Sequence, residues 1–102
     1  MRRKGLLSEI MLGLGGQASM APNIDYPRPG DIVWAGHYAI RISGCKGECQ
    51  VAIDEGAWLP CRVNDGFHWF DWDATAPGRH RIMLRAKIGN KWFRAQRSCE
   101  VK

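Results

Sequence analysis

The chain has 102 residues, 45% of them hydrophobic and 25% charged, with a formal net charge of +5. That is one domain's worth of chain, and no apolar run approaches the roughly 18 residues of a membrane-spanning helix. Arg2, Arg3 and Lys4 carry three of the charges. From Gly5 onward 12 basic side chains stand against 10 acidic ones, a net of +2, so overall charge is a weak argument for a nucleic-acid partner.

Residues 1–23 read as a flexible leader. Arg2-Arg3-Lys4, Leu6-Leu7 and Ile10-Met11-Leu12-Gly13-Leu14 begin like a secretory signal, with small residues at Ala18-Ser19-Met20-Ala21. Ser8 and Glu9 interrupt the apolar stretch, however, leaving about five residues where a signal needs roughly 7–15. The interruption favours a cytoplasmic chain. The folded domain is expected over 24–102.

Twelve glycines and five prolines fall mostly between short apolar runs, the punctuation of an all-β protein. Tyr26-Pro27-Arg28-Pro29-Gly30 is excluded from a regular strand because each proline removes a donor. A first short strand follows at Asp31 to Ala35. His37 to Ser43 buries Tyr38, Ile40 and Ile42 by alternation. After a turn at Gly44–Glu48, Cys49, Val51 and Ile53 point inward, with Gln50, Ala52 and Asp54 outward. Asp54-Glu55-Gly56 is a tight turn with glycine supplying positive φ. Trp58 to Val63 is the returning strand, and Asn64-Asp65-Gly66 turns again.

Next, His68, Phe70 and Trp72 face inward against Trp69, Asp71 and Asp73. Ala76-Pro77-Gly78 is a loop, after which His80, Ile82, Leu84 and Ala86 share the inward side. Gly89-Asn90 fits a two-residue hairpin loop. That register sets Lys87 opposite Trp92, Arg85 opposite Arg94 and Ala86 opposite Phe93, with a last strand running to about Val101. About seven strands in about eighty residues is the count of an immunoglobulin-like antiparallel β-sandwich.

Residues 51 to 86 also carry a pattern: Val51, Ile53, Asp54, Gly56, Trp58, Trp69, Trp72, Gly78, His80, Ile82, Arg85 and Ala86. It resembles immunoglobulin-like early-set domains, among them the dimerisation domain of sulfite-oxidase-type molybdenum enzymes. Small stand-alone bacterial proteins of unknown function look closer still, sharing Trp58-x-Pro60-Cys61-Arg62 and Trp69-x-Asp71-Trp72. The resemblance implies the sandwich fold and a homodimer or protein partner. The matching segment has no positions for that enzyme's molybdenum cofactor or catalytic residues, and no cofactor is expected.

Three constellations are candidates for function. Cys45 and Cys49 flank a turn closely enough for a disulfide, and Cys61 and Cys99 are the remaining pair. Reduced thiols, one or two bridges and zinc all stay open, although a four-thiolate zinc site usually shows two Cys-x-x-Cys knuckles. Two bridges would place the protein in an exported compartment.

The five tryptophans form the second. Trp69 and Trp72 point to opposite faces, so both cannot be buried. Trp58 and Trp72 are expected in the core, and Trp69 and Trp92 on the surface. Trp69 with Asp71 and Asp73 would suit a sugar ring and its hydroxyls.

The third is a basic face of Arg79, Arg81, Arg85, Lys87 and Arg94. Arg85 opposite Arg94 is repulsive, and Asp54 is the simplest acidic partner to offset it. Lys87 over Trp92 fits a cation–π pair. Nucleic acid could use this face only with stacking rings beside it. No Gly-x-Ser-x-Gly elbow, phosphate loop or His-Glu-x-x-His motif occurs. The expectation is therefore a non-catalytic interaction module for a protein partner, with carbohydrate and then nucleic acid as alternatives.

Overall fold

The computed structural model describes residues 21–102, which form nine β-strands and no helix. In chain order these are β1 (Asn23–Tyr26), β2 (Ile32–Val33), β3 (Gly36–Ser43), β4 (Cys49–Ile53), β5 (Leu59–Pro60), β6 (Arg62–Asn64), β7 (Phe67–Ala74), β8 (Gly78–Ile88) and β9 (Lys91–Val101). One sheet has four strands in the order β1-β3-β7-β6; the other has five in the order β2-β9-β8-β4-β5. β2 runs parallel to β9, and every other pairing is antiparallel. The all-β sandwich class expected from alternation is what the chain adopts. No described helix is long and apolar enough to cross a membrane. The signal-like stretch lies within residues 1–20, outside the described residues.

Period-two alternation builds the core from both sheets. Ile40 and Ile42 of β3 with Phe70, Trp72 and Ala74 of β7 meet Cys49 and Val51 of β4, Ile82 and Leu84 of β8, and Cys99 and Val101 of β9. Each fully buried aliphatic side chain contributes about 1.5–3 kcal/mol relative to exposure. The β8–β9 hairpin has the register its Gly89-Asn90 loop predicted: Ile88 faces Lys91, Lys87 faces Trp92, and Arg85 faces Arg94.

Several elements depart from the sequence reading. Nine strands replace about seven, partly because Asn23–Tyr26 forms β1 ahead of the prolines, burying Ile24 against the core. The first strand shrinks to Ile32–Val33. The returning strand over Trp58 to Val63 divides, because Leu59–Pro60 pairs with β4 while Arg62–Asn64 pairs with β7 in the other sheet. Cys61 is the crossing point.

The turn after β4 also differs. Asp54 and Glu55, at φ 52° and 65°, carry the left-handed conformations, and Gly56 closes the turn by donating its N–H to the Ile53 carbonyl at 2.9 Å. Ala52, expected outward, is only 2% exposed. Its methyl group lines a recess with Trp58, Met83 and Arg94, whose larger side chains cover it.

Candidate functional site

The residues singled out by sequence fall on two opposite outer faces. Trp69, Asp71 and Asp73 alternate along β7 with the buried Phe70, Trp72 and Ala74, so they point away from the core on the four-stranded sheet. Arg62 of β6 lies directly across from Trp69. Its guanidinium donates to both Asp71 oxygens, Nε to Oδ2 at 2.7 Å and Nη2 to Oδ1 at 3.1 Å, and His37 Nε2 lies 3.0 Å from Oδ1. Arg62 first, then His37, lowers the Asp71 carboxyl to about 2. Trp69 donates its indole N–H to the Asn64 carbonyl at 3.0 Å and meets Phe67 edge-on at 6.2 Å. The polar handles on this face are largely engaged with each other. Asp73 is exposed.

The other face is built on β8, β9 and β4. Arg85 and Arg94 are directly opposite, as the hairpin register requires. Asp54 does not offset their repulsion; indoles do. Arg85 sits over both the Trp58 ring at 4.6 Å and the Trp92 ring at 4.8 Å. Arg94 reaches Trp58 at 5.9 Å, and Lys87 covers Trp92 at 5.3 Å as expected. The result is a continuous stack, Arg94–Trp58–Arg85–Trp92–Lys87, in which each cation faces the negative surface of a ring. Arg85 Nε also donates to Gln50 Oε1 at 2.7 Å, which fixes the guanidinium plane.

Trp58 is the member of this stack that the sequence places in the core instead. It is half-buried on this outer face and absent from the core. Leu59 pairs with the inward Val51, so the residue before Leu59 must point outward. That register was the available signal. Trp34, at the end of β2, is 75% exposed and stands apart from both groups.

A third cluster lies where the turn after β4 meets β8. Asp54 accepts from the Arg81 backbone N–H at 2.8 Å and from His80 Nδ1 at 2.5 Å, while His80 Nε2 lies 2.6 Å from the Ala76 carbonyl. A carboxylate and a carbonyl only accept, so this pair of contacts favours the doubly protonated ring. The Asp54 bond, then the Ala76 carbonyl, raises its pKa. Burial pushes Asp54 upward, but the Arg81 and His80 hydrogen bonds outweigh it and leave the carboxyl below its usual range. Ser98 lines the same recess. Both ring nitrogens of His80 are engaged, by Asp54 and by the Ala76 carbonyl.

All four cysteines are free thiols. Cys45 donates its S–H to Cys49 at 3.5 Å, and Cys49 donates to Cys61 at 3.6 Å. Cys45 and Cys49 are thus together as their spacing suggested, but Cys61 joins them rather than Cys99. Cys99 faces His80 across the β8–β9 ladder, whereas Cys49 faces Ala86 on the other side of β8. Six residues of strand, roughly 20 Å, separate those positions. Among the described residues no group of three or more His, Cys, Asp or Glu is arranged to hold a metal ion.

No protein-family model and no curated protein matches the sequence. Solved structures with a similar fold include the endo-β-1,4-mannanase from Thermotoga petrophila, at 14% identity and TM-score 0.67, covering 79% of this chain and 19% of the mannanase. An engineered protein matches equally, at 14% identity and TM-score 0.67 over 80% of this chain and 20% of its own. The chain therefore spans about a fifth of the length of each. At this identity the likeness is one of fold.

Proposed function

We propose that this chain is a non-catalytic interaction module of the immunoglobulin-like class, and that it docks an acidic segment of a partner protein on the outer face of its five-stranded sheet. The early-set pattern along Val51–Ala86 and the two-sheet sandwich support the class. One observation carries the binding surface: Arg94, Arg85 and Lys87 are held over Trp58 and Trp92, and among the described residues none of the three forms an ion pair. Arg85, stacked between two rings, has its flat faces covered, and its terminal N–H edge has no hydrogen-bond partner among the described residues. That edge matches a carboxylate in fork geometry. Little side-chain freedom is left to lose on binding, which favours affinity.

The carbohydrate reading at Trp69, Asp71 and Asp73 has less support. Asp71 is already neutralised by Arg62, and the Trp69 indole N–H is already bonded. The engagement of both His80 ring nitrogens supports a non-catalytic reading.

Fluorescence anisotropy with a labelled Asp/Glu-rich decapeptide, against a neutral peptide of the same length, tests the proposal. Binding to the acidic peptide alone is expected, weakening as salt rises. Arg85→Gln combined with Arg94→Gln should weaken it about tenfold or more, which corresponds to about 1.4 kcal/mol. Trp69→Ala should leave it unchanged. Equal binding of both peptides would overturn the proposal. A glycan-array response abolished by Trp69→Ala, without peptide binding, would establish the carbohydrate reading. Preferential retention of single-stranded DNA by the same face would establish the nucleic-acid one.

A further inference from the structure

We infer that Cys45, Cys49 and Cys61 form an oxidisable thiol site, which takes up one intramolecular disulfide, always through Cys49, from a low-molecular-weight disulfide of the glutathione class. The inference stands on placement and does not depend on the partner proposed above.

Three sulfurs lie in a row, with Cys49 central at 3.5 Å and 3.6 Å from its neighbours. Two different elements bring them together. The turn after β3 carries Cys45 back to the start of β4. The β4–β5 ladder, continued one step beyond Gln50↔Pro60, sets Cys61 directly opposite Cys49, with the Cys61 N–H bonded to the Cys49 carbonyl at 3.1 Å. Directly opposed residues of an antiparallel pair have Cα atoms about 4.5–5.5 Å apart. That falls inside the range of about 4.4–6.8 Å spanned by disulfides. Side-chain rotation is then the main movement required.

Exposure sets the order of events. Cys45 and Cys61 are partly exposed, whereas Cys49 is buried at 4%. The thiolate of an outer cysteine attacks one sulfur of the small disulfide, forming a mixed disulfide and releasing one small thiolate. Cys49 then attacks the protein sulfur of that mixed disulfide. The Cys–Cys bond closes and the second small thiolate leaves. Two electrons pass to the small disulfide, and the two protons lost by the cysteines end on the two small thiols.

Cys45 and Cys49 are in the thiol form at neutral pH. Its bond to Cys49 and then burial push the Cys45 thiol up. For Cys49 the S–H donated by Cys45 favours the thiolate, but the bond it donates to Cys61 and its burial outweigh that and push it up to about 12. Closure therefore accelerates as pH rises, by about tenfold per unit below that value where the Cys49 thiolate limits the rate. A Cys49–Cys61 bond would also staple β5, a two-residue edge strand with only two register pairs to β4, and so fix Trp58 three residues upstream.

Trypsin separates the alternatives, because Lys46 divides Cys45 from Cys49 while no basic residue lies between Cys49 and Cys61. Full-length protein is incubated with oxidised glutathione, denatured, alkylated and digested. The expected product is peptide 47–62 two hydrogens lighter, or peptide 42–46 joined to 47–62, with peptide 98–102 alkylated at Cys99. Cys61→Ser should leave only the joined form and Cys45→Ser only the looped form; both positions are partly exposed, so these variants keep the buried core intact. Cys49→Ala should accumulate glutathione adducts and close no bond. The inference is overturned if the parent protein stays reduced or merely glutathionylated, if Cys99 is linked, or if Cys49→Ala still forms an internal disulfide.

Discussion

Asp54 and His80 tie the turn after β4 to the start of β8, and their charges make that tie pH-dependent. The folded pKa of His80 lies above its ordinary 6.5, so its contribution is full below about 6.5 and is lost as pH rises through the raised folded value. The folded pKa of Asp54 lies below its ordinary 3.8, so its contribution is full above about 3.8 and is lost as pH falls through the depressed value. Both are complete only between about 3.8 and 6.5. Thermal unfolding followed across pH should show this pair contributing most in that interval. Asp54→Asn should cost about 1–2 kcal/mol near pH 5.5, a value discounted for the exposure of the carboxylate, and should flatten the decline above pH 6.5. An unchanged decline in the variant would assign the pH dependence to other groups. Arg97 makes a second tie between elements. Its Nη1 donates to the Ile24 and Pro27 carbonyls at 2.7 and 2.9 Å, anchoring β1 to β9 across the two sheets.

At the scale of elements, the turn between β4 and β5 stores local strain. Glu55 adopts φ 65°, a left-handed conformation costing an ordinary residue about 1–2 kcal/mol. Its exposed ion pair with Arg81 returns little of that. Glu55→Gly should therefore raise stability by about 0.5–1 kcal/mol in urea unfolding, with an unchanged m-value. Destabilisation would show that the Arg81 contact outweighs the strain.

The same region shows where sequence reasoning stopped. The β8–β9 register was legible to the residue because a two-residue loop leaves the alternation one solution. β1 was not, because the prolines that end it hid the four residues that precede them. The division at Cys61 was not legible either, since alternation says which way a side chain points but not which sheet its strand joins. Trp58 was assigned to the core on size, and only the Val51↔Leu59 pairing turns it outward. The proximity of Cys45 to Cys49 was written in their spacing. The arrival of Cys61 depends on the β4–β5 ladder, which no local pattern announces.

For the whole molecule, the sandwich presents two unlike faces around one core. On the four-stranded sheet Asp71 binds Arg62 and His37, and Trp69 binds Asn64, so that face is largely self-satisfied. On the five-stranded sheet Arg85, Arg94 and Lys87 rest on indoles rather than on acids. Cation–π contacts of about 0.5–1 kcal/mol each at exposed sites offset the Arg85–Arg94 repulsion. They leave the positive charge itself in place. The asymmetry between the faces, more than the net charge, is the ground for proposing an acidic partner. A second copy of the chain presenting the same positive face would be repelled there.

The indole N–H signals of Trp58, Trp92 and Trp69 report on the two faces separately in one NMR titration with the acidic decapeptide. Saturable shifts of Trp58 and Trp92, with Trp69 still, are the predicted result. Movement of Trp69 alone, or shifts that persist undiminished in high salt, would contradict the assignment of the five-stranded face as the docking surface.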